Sequence, residues 1–137
     1  TSFDPFSAQV VREGTDATIV AYGPLVPVAL AAAEAAVEDG RSIEVIDLRS
    51  ISPLDVPTVA ASVAKTGRLI VAHEAPTFGG MGGELAAAIT ERCFYSLQAP
   101  VIRVGGYYMP YPVSRVEEEY VPDIDRILEA VDRAFDY

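Results

Sequence analysis

The fold of this chain is decided by residues 17–48, which read ATIVAYGPLVPVALAAAEAAVEDGRSIEVIDL. The opening residues form a β-branched run that ends at Gly23-Pro24, which is typical of a strand followed by a turn. Small apolar residues from Leu25 to Asp39 predict a helix that ends at Gly40. A second strand is predicted from Ser42 to Leu48, where Ile43 and Val45 alternate with Glu44 before Ile46. This order indicates two parallel strands joined by a crossover helix.

The same alternation continues along the chain. A helix is predicted with Ser52 as its N-cap, Pro53 as its first residue, Asp55 at its third position and Gly67 at its end. The other predicted elements are strands over Gln9–Arg12 (at the sheet edge), Arg68–His73 and Pro100–Val104, and helices over Glu84–Phe94 and Pro122–Phe135. The first helix is predicted to bury Val28, Ala29, Ala32, Ala36 and Val37. We therefore expect an α/β fold, a three-layer αβα sandwich with a mostly parallel sheet, as a single domain over residues 1–137.

The composition narrows the class of function. The formal net charge of −10 argues against a nucleic-acid partner and favours a basic protein partner. No apolar run is long enough to span a membrane, and the first residues show no signal-peptide pattern. The single cysteine, Cys93, rules out an internal disulfide and is predicted to lie in the core. We expect a cytoplasmic, bacterial protein.

The glycine-rich stretch HEAPTFGGMGGE, at residues 73–84, follows a predicted strand and enters a helix. Such a position suits an active site, an anion-binding loop or a structural corner. The stretch lacks the Gly-Lys-Ser/Thr ending of a P-loop and the third glycine of a dinucleotide loop. Glu84 would also repel a phosphate. These points favour a structural corner.

Residues suited to catalysis are sparse. His73, the only histidine, and Glu74 could act as an acid–base pair, but neighbours on a strand point to opposite sides. No serine nucleophile motif is present, and one histidine with one cysteine does not make a metal site. We assign no catalytic, cofactor-binding or metal-binding residue, and His73 stays the one catalytic candidate.

An aromatic and proline-rich segment predicts a protein interface. It contains Tyr107, Tyr108, Met109, Pro110, Tyr111 and Pro112. Tyrosine and methionine are enriched at protein contacts, and prolines hold such a segment rigid at low entropic cost. We expect it to contact a neighbouring subunit, with packing onto its own domain as the alternative.

Several short motifs occur in a fixed order along the chain. They are residues 11–16 (VREGTD), 45–51 (VIDLRSI), 53–55 (PLD), 73–75 (HEA), 98–104 (QAPVIRV), 106–107 (GY), 110–112 (PYP) and 121–123 (VPD). As a set they resemble the transketolase C-terminal-domain family, in particular the β subunit of the decarboxylase component of 2-oxo acid dehydrogenases. Residues 73–76, 92–94 and 106–107 look more like the branched-chain enzyme than the pyruvate enzyme. Two positions depart from the family. Gln98 stands where the family commonly has an acidic residue, and Tyr108-Met109 replaces a more usual Asp-Thr-like pair.

The resemblance implies an α2β2 heterotetramer that uses thiamine diphosphate and Mg²⁺. Such an enzyme decarboxylates a branched-chain 2-oxo acid and acylates a lipoyl group within a multienzyme complex. The family's Gly-Asp-Gly cofactor signature is absent from this sequence, so we expect a fragment of a longer β subunit without catalysis of its own.

The implied role is assembly. The resemblance implies contacts with the α subunit and a second β subunit, which we expect at His73, Glu74 and residues 107–112. It also implies docking of the peripheral subunit-binding domain of the dihydrolipoyl acyltransferase near the two-fold axis between β subunits. The matching positions are Tyr95, Gln98 and the C-terminal carboxylate of Tyr137. The alternatives are a pyruvate dehydrogenase β-subunit domain, a transketolase domain, or a free-standing flavodoxin-like nucleotide-binding module.

Overall fold

A computed structural model describes residues 7–49, 54–76, 81–106 and 124–137. Within these ranges the strands are β1 (Gln9–Arg12), β2 (Ala17–Ala21), β3 (Ile43–Asp47), β4 (Leu69–Pro76) and β5 (Ile102–Gly106). The helices are α1 (Leu25–Ala36), α2 (Val56–Thr66), α3 (Met81–Cys93) and α4 (Ile124–Phe135). A short 3₁₀ turn, Val37–Asp39, follows α1.

The described strands form one mixed sheet in the order β1-β3-β2-β4-β5. Strand β2 pairs in parallel with both β3 and β4, and β4 pairs in parallel with β5. Strand β1 pairs with β3 in the antiparallel direction and closes one side of the sheet. The predicted mostly parallel sheet and the predicted edge strand over Gln9–Arg12 are both confirmed.

The core lies in two layers, one on each face of the sheet. On one face, α1 and α4 pack over residues such as Ile19, Val45 and Ile70. On the other face, α2 and α3 pack over residues such as Val20 and Ile46. Alternate residues of one strand point to opposite faces, so β2 and β3, which are buried over nearly their whole length, contribute side chains to both layers. This is the predicted three-layer αβα sandwich.

One residue predicted to lie in the core, Val37 after the end of α1, is exposed in the structure. Gly40 ends the helical segment in the left-handed conformation, with φ of 75°, as predicted. The α-helix itself ends at Ala36, and the following 3₁₀ turn winds more tightly, which changes where each side chain points. Val37 is therefore 52% exposed rather than buried, whereas Ala29, Ala32 and Ala36 are buried as expected.

The N-cap of α2 differs from the predicted one. Asp55 is the N-cap and not the third helical residue, because its carboxylate accepts a hydrogen bond from the Thr58 N–H at 3.2 Å. A second carboxylate oxygen accepts the N–H of Ala8 at 2.9 Å, which ties the segment before β1 to this helix. The predicted cap Ser52 and first residue Pro53 lie outside the described residues.

Helix α3 begins at Met81, earlier than the predicted start at Glu84. Gly82 and Gly83 therefore belong to the first turn of the helix and not to a turn before it. Glu84 also lies in that first turn, where an acidic side chain interacts favourably with the helix dipole. The preceding part of the glycine-rich stretch, residues 77–80, lies outside the described residues.

Candidate docking edge

The candidate site lies along the edge of the sheet where the parallel strands begin. In a parallel sheet with crossover helices, each helix ends close to the start of the next strand. We use the name amino edge for Arg41, Gly67–Arg68, residues 94–100 and residues 134–137. The structure brings all three predicted partner-binding residues, Tyr95, Gln98 and Tyr137, to this edge.

The end of α3 presents two aromatic rings to solvent. Tyr95 is 99% exposed and Phe94 is 63% exposed. Their rings contact each other edge to face, with 5.4 Å between centroids. The helix end is held by the N–H groups of Ser96 and Leu97, which both donate to the carbonyl of Cys93. Exposed aromatic rings on a fixed turn are typical of a protein contact surface.

Gln98 is positioned by the turn that ends α2. Its N–H donates to the carbonyl of Gly67 at 2.8 Å. Gly67 has φ of 78°, and a Cβ atom there would lie 2.8 Å from the Gln98 amide nitrogen Nε2. The left-handed backbone conformation at residue 67 favours glycine, and a larger residue there would also displace the side chain of Gln98.

The end of α4 is held by two arginines. The guanidinium groups of Arg41 and Arg68 lie 4.4 Å and 4.2 Å from the ring centroid of Phe135. The Arg68 Nε–H donates to the carbonyl of Ala134 at 3.1 Å, and Arg41 forms an ion pair with Asp132 at 2.5 Å. Cation–π contacts of this kind contribute about 0.5–2 kcal/mol each. Together they fix the segment that leads to Tyr137.

Two depressions flank the start of β5. A cavity of about 270 Å³ is lined by Tyr137, Arg133 and the residues from Pro100 to Arg103. A larger groove, of about 680 Å³, lies between α3 and β5 and includes Phe94, Leu97 and Val101. Tyr137 therefore lies beside the strand start that follows Gln98, and the exposed aromatic pair borders an apolar groove.

Arg41, Arg68 and Phe135 were not predicted to take part in this edge. The available signal was a repeated Gly-Arg pair, at residues 40–41 and 67–68. In each pair the glycine ends a helical segment. The arginine that follows it lies at the amino edge, just before the next strand begins.

Two of the predicted subunit-interface residues lie away from the amino edge. His73 and Glu74 fall within β4, which continues to Pro76 instead of ending at His73 as predicted. They lie in the carboxyl half of that strand, away from the amino edge. The other predicted contacts, Tyr107, Tyr108, Met109, Pro110, Tyr111 and Pro112, lie outside the described residues. His73 and Glu74 therefore do not share a site with Tyr95, Gln98 and Tyr137.

The described residues offer little for metal or thiol chemistry. Within residues 7–49, 54–76, 81–106 and 124–137, no group of three His, Cys, Asp or Glu residues could hold a metal ion. Cys93 is buried, as predicted, and its thiol lies 3.7 Å from the carbonyl of Ala60. Within the same ranges, no helix is long and apolar enough to cross a membrane.

The fold defines a class: a doubly wound α/β domain, here with exposed aromatic side chains at the amino edge. A family model described as transketolase, C-terminal domain, matches residues 7–127. The chain belongs to the transketolase C-terminal-domain family, as the sequence motifs predicted.

Three similar proteins illustrate the family. The chain is 56% identical over 131 residues to the pyruvate dehydrogenase E1 component subunit beta of Leifsonia xyli subsp. xyli, covering 96% of this chain and 39% of the relative. It is 50% identical over 127 residues to the 3-methyl-2-oxobutanoate dehydrogenase subunit beta of Mycobacterium tuberculosis, covering 92% of this chain and 36% of the relative. A solved structure described as a split-gene transketolase, inactive beta4 tetramer, superposes with a TM-score of 0.80 at 29% identity, covering 99% of this chain and 43% of that chain. This chain thus spans about two fifths of the length of the curated relatives.

Proposed function

We propose that this chain is the C-terminal assembly domain of the β subunit of a thiamine-diphosphate-dependent 2-oxo acid dehydrogenase. Its role is to hold subunits together and to dock the peripheral subunit-binding domain of the dihydrolipoyl acyltransferase. The observation that supports this most directly is the amino edge, where Tyr95, Gln98 and Tyr137 are exposed along one side of the sheet.

Charge supports the same partner. The chain carries a formal net charge of −10, so a basic docking domain would be attracted to it over a distance of about one Debye length. Attraction of this kind mainly raises the rate of association and selects against acidic partners. Affinity would come from buried contacts, for which the exposed rings of Phe94 and Tyr95 are the best candidates.

Catalysis by this domain is not part of the proposal. In the whole enzyme, thiamine diphosphate would supply carbanion stabilisation, and Mg²⁺ would hold its diphosphate group. Among the described residues, no group of three or more His, Cys, Asp or Glu residues could hold the metal ion. The Gly-Asp-Gly cofactor signature is also absent from this sequence, so we propose that other parts of the α2β2 enzyme bind the cofactors and that the isolated domain is inactive.

Replacing Tyr95 by serine should weaken docking by at least about tenfold, because a central aromatic contact is worth about 1–2 kcal/mol or more at such interfaces. The variant should unfold at the same urea concentration as the parent, since this side chain is 99% exposed. Calorimetric titration of the intact protein with a purified peripheral subunit-binding domain measures the effect.

Tyr22 supplies a matched control, because it is 38% exposed and follows the carboxyl end of β2, on the opposite edge of the sheet. Tyr22→Ser should change the dissociation constant by less than about twofold. Equal affinities for Tyr95→Ser and the parent would reject docking through the amino edge.

The substrate is proposed to be a branched-chain 2-oxo acid, on the resemblance of residues 73–76, 92–94 and 106–107 to that enzyme. The second candidate is pyruvate, which is favoured by the 56% identity to a pyruvate dehydrogenase β subunit. Assays of the intact enzyme with pyruvate and with 3-methyl-2-oxobutanoate separate the two. A kcat/KM at least tenfold higher for pyruvate would reject the branched-chain assignment and leave the docking proposal untouched.

A further inference from the structure

The three proposed docking residues come from different parts of the chain. Tyr95 and Gln98 lie between α3 and β5, whereas Tyr137 follows α4. A docking domain that contacts all of them requires these segments to keep a fixed relative position. The contacts at the amino edge show how that position is kept.

The connection runs through the turn formed by Gly67 and Arg68. The carbonyl of Gly67 accepts the N–H of Gln98 at 2.8 Å. The carbonyl of the next residue, Arg68, accepts the Thr18 N–H at 2.8 Å and the Thr66 hydroxyl at 3.2 Å. The turn is thus anchored to both β2 and α2, and one of its two residues holds the Gln98 segment.

The side chain of Arg68 extends from this anchored turn to the end of α4. Its Nε–H donates to the carbonyl of Ala134, and its guanidinium group lies 4.2 Å from the ring centroid of Phe135. One residue therefore makes a directional bond and a stacking contact to the segment that precedes Tyr137. A lysine has no planar group and could not make both contacts.

We propose that Arg68 is a positioning residue for docking, which holds the end of α4 in register with Gln98 without touching the partner. This inference rests on the proposed function. Arg41 contacts the same ring, but its ion pair is with Asp132 of α4 itself. Arg68 differs from Arg41 because its neighbour Gly67 accepts the hydrogen bond that holds Gln98.

The test uses Arg68→Lys in the intact protein, titrated with a purified peripheral subunit-binding domain. We expect the dissociation constant to rise about three- to tenfold. Hydrogen–deuterium exchange should become at least about threefold faster for the amides of residues 134–137. Arg12→Lys is the matched control, because Arg12 lies on β1 at the other side of the sheet and pairs with Glu34 at 2.9 Å. It should change neither measurement.

Phe135→Leu tests whether Arg68 acts on docking through its contact with the Phe135 ring, because the substitution removes the ring and keeps an apolar side chain. If Arg68 acts through Phe135, the loss of affinity in the double variant should be smaller than the sum of the two single losses, since residues in contact are coupled. Fully additive losses in the double variant would overturn the inference.

Other outcomes separate this inference from the proposed function. If Arg68→Lys leaves the hydrogen–deuterium exchange rates of residues 134–137 unchanged, the positioning role is overturned, even if the affinity for the docking domain falls. Unchanged affinity in Arg68→Lys, with weakened binding in Tyr95→Ser, would overturn positioning and keep the docking proposal. If the parent protein does not bind the docking domain, both fail. An equal loss of affinity in Arg12→Lys would show that the loss is not specific to residue 68 and would also overturn positioning.

Discussion

Replacing Gly14 by alanine is expected to lower the free energy of unfolding by at least about 3 kcal/mol, because the new methyl group has no space. A Cβ atom at this residue would lie 2.3 Å from the backbone nitrogen of Glu44 and 2.3 Å from the carbonyl carbon of Ile43. Both atoms belong to a central strand, β3, which pairs with β1 and β2 and cannot move freely. Urea denaturation followed by circular dichroism measures the loss.

Gly40→Ala is the control for this substitution. Gly40 has φ of 75°, so an alanine there is strained by about 1–2 kcal/mol, but no atom lies within 4 Å of the added Cβ. A smaller loss in Gly14→Ala than in Gly40→Ala would show that the segment before β2 is free to move away from β3. The close contact would then not be a feature that stabilises the fold.

The sequence predicted the layered fold because the spacing of apolar residues agreed with the positions of the glycines and prolines that bound the elements, along most of the chain. Strands β2 and β3 are buried at nearly every position, as expected for strands covered on both faces. Glycines end the helical segment that contains α1 and also end α2. The starts of α2 and α3 were misplaced. Several residues near each start can cap or begin a helix, and only the three-dimensional hydrogen bond from Thr58 identifies Asp55.

The candidate site was predicted in part. Tyr95, Gln98 and Tyr137 were suggested by resemblance, and the structure places them on one edge. The arginines that connect their segments were not predicted, because Arg68 contacts residues 66 positions later in the chain. No local pattern encodes such a distance. Glu44 was interpreted only as the polar member of an alternating strand, and its buried contacts likewise depend on the packing of α2.

Glu44 is a buried carboxylate with a complete set of partners. One oxygen accepts hydrogen bonds from Lys65 at 2.5 Å and from the Gly14 N–H at 3.2 Å. The other oxygen accepts the Ser62 hydroxyl at 2.6 Å, and Ser62 in turn contacts Thr18 at 2.7 Å. Burial raises the pKa of Glu44, but the hydrogen bonds from Lys65, Ser62 and Gly14 and the charge of Lys65 outweigh it, so its pKa lies below the ordinary value of 4.5.

Because the pKa of Glu44 is lowered by folding, its ionised form stabilises the folded state. That contribution is fully present above the unfolded pKa and is lost as the pH falls below 4.5 through the lowered pKa of the folded state. Replacing Glu44 by glutamine should therefore cost about 1–3 kcal/mol at pH 7, since an amide group cannot accept from all three donors. The difference from the parent should shrink steadily below pH 4.5.

Urea midpoints measured from pH 7 down to pH 3 test this dependence. Glu34→Gln is the matched control, because Glu34 forms an exposed ion pair with Arg12, and such pairs contribute about 0–1 kcal/mol. A difference between Glu44→Gln and the parent that stays constant over the whole range would contradict the charge argument. The polar cluster under α2 would then stabilise the fold through its shape, and the acid sensitivity of the domain would have to come from other carboxylates.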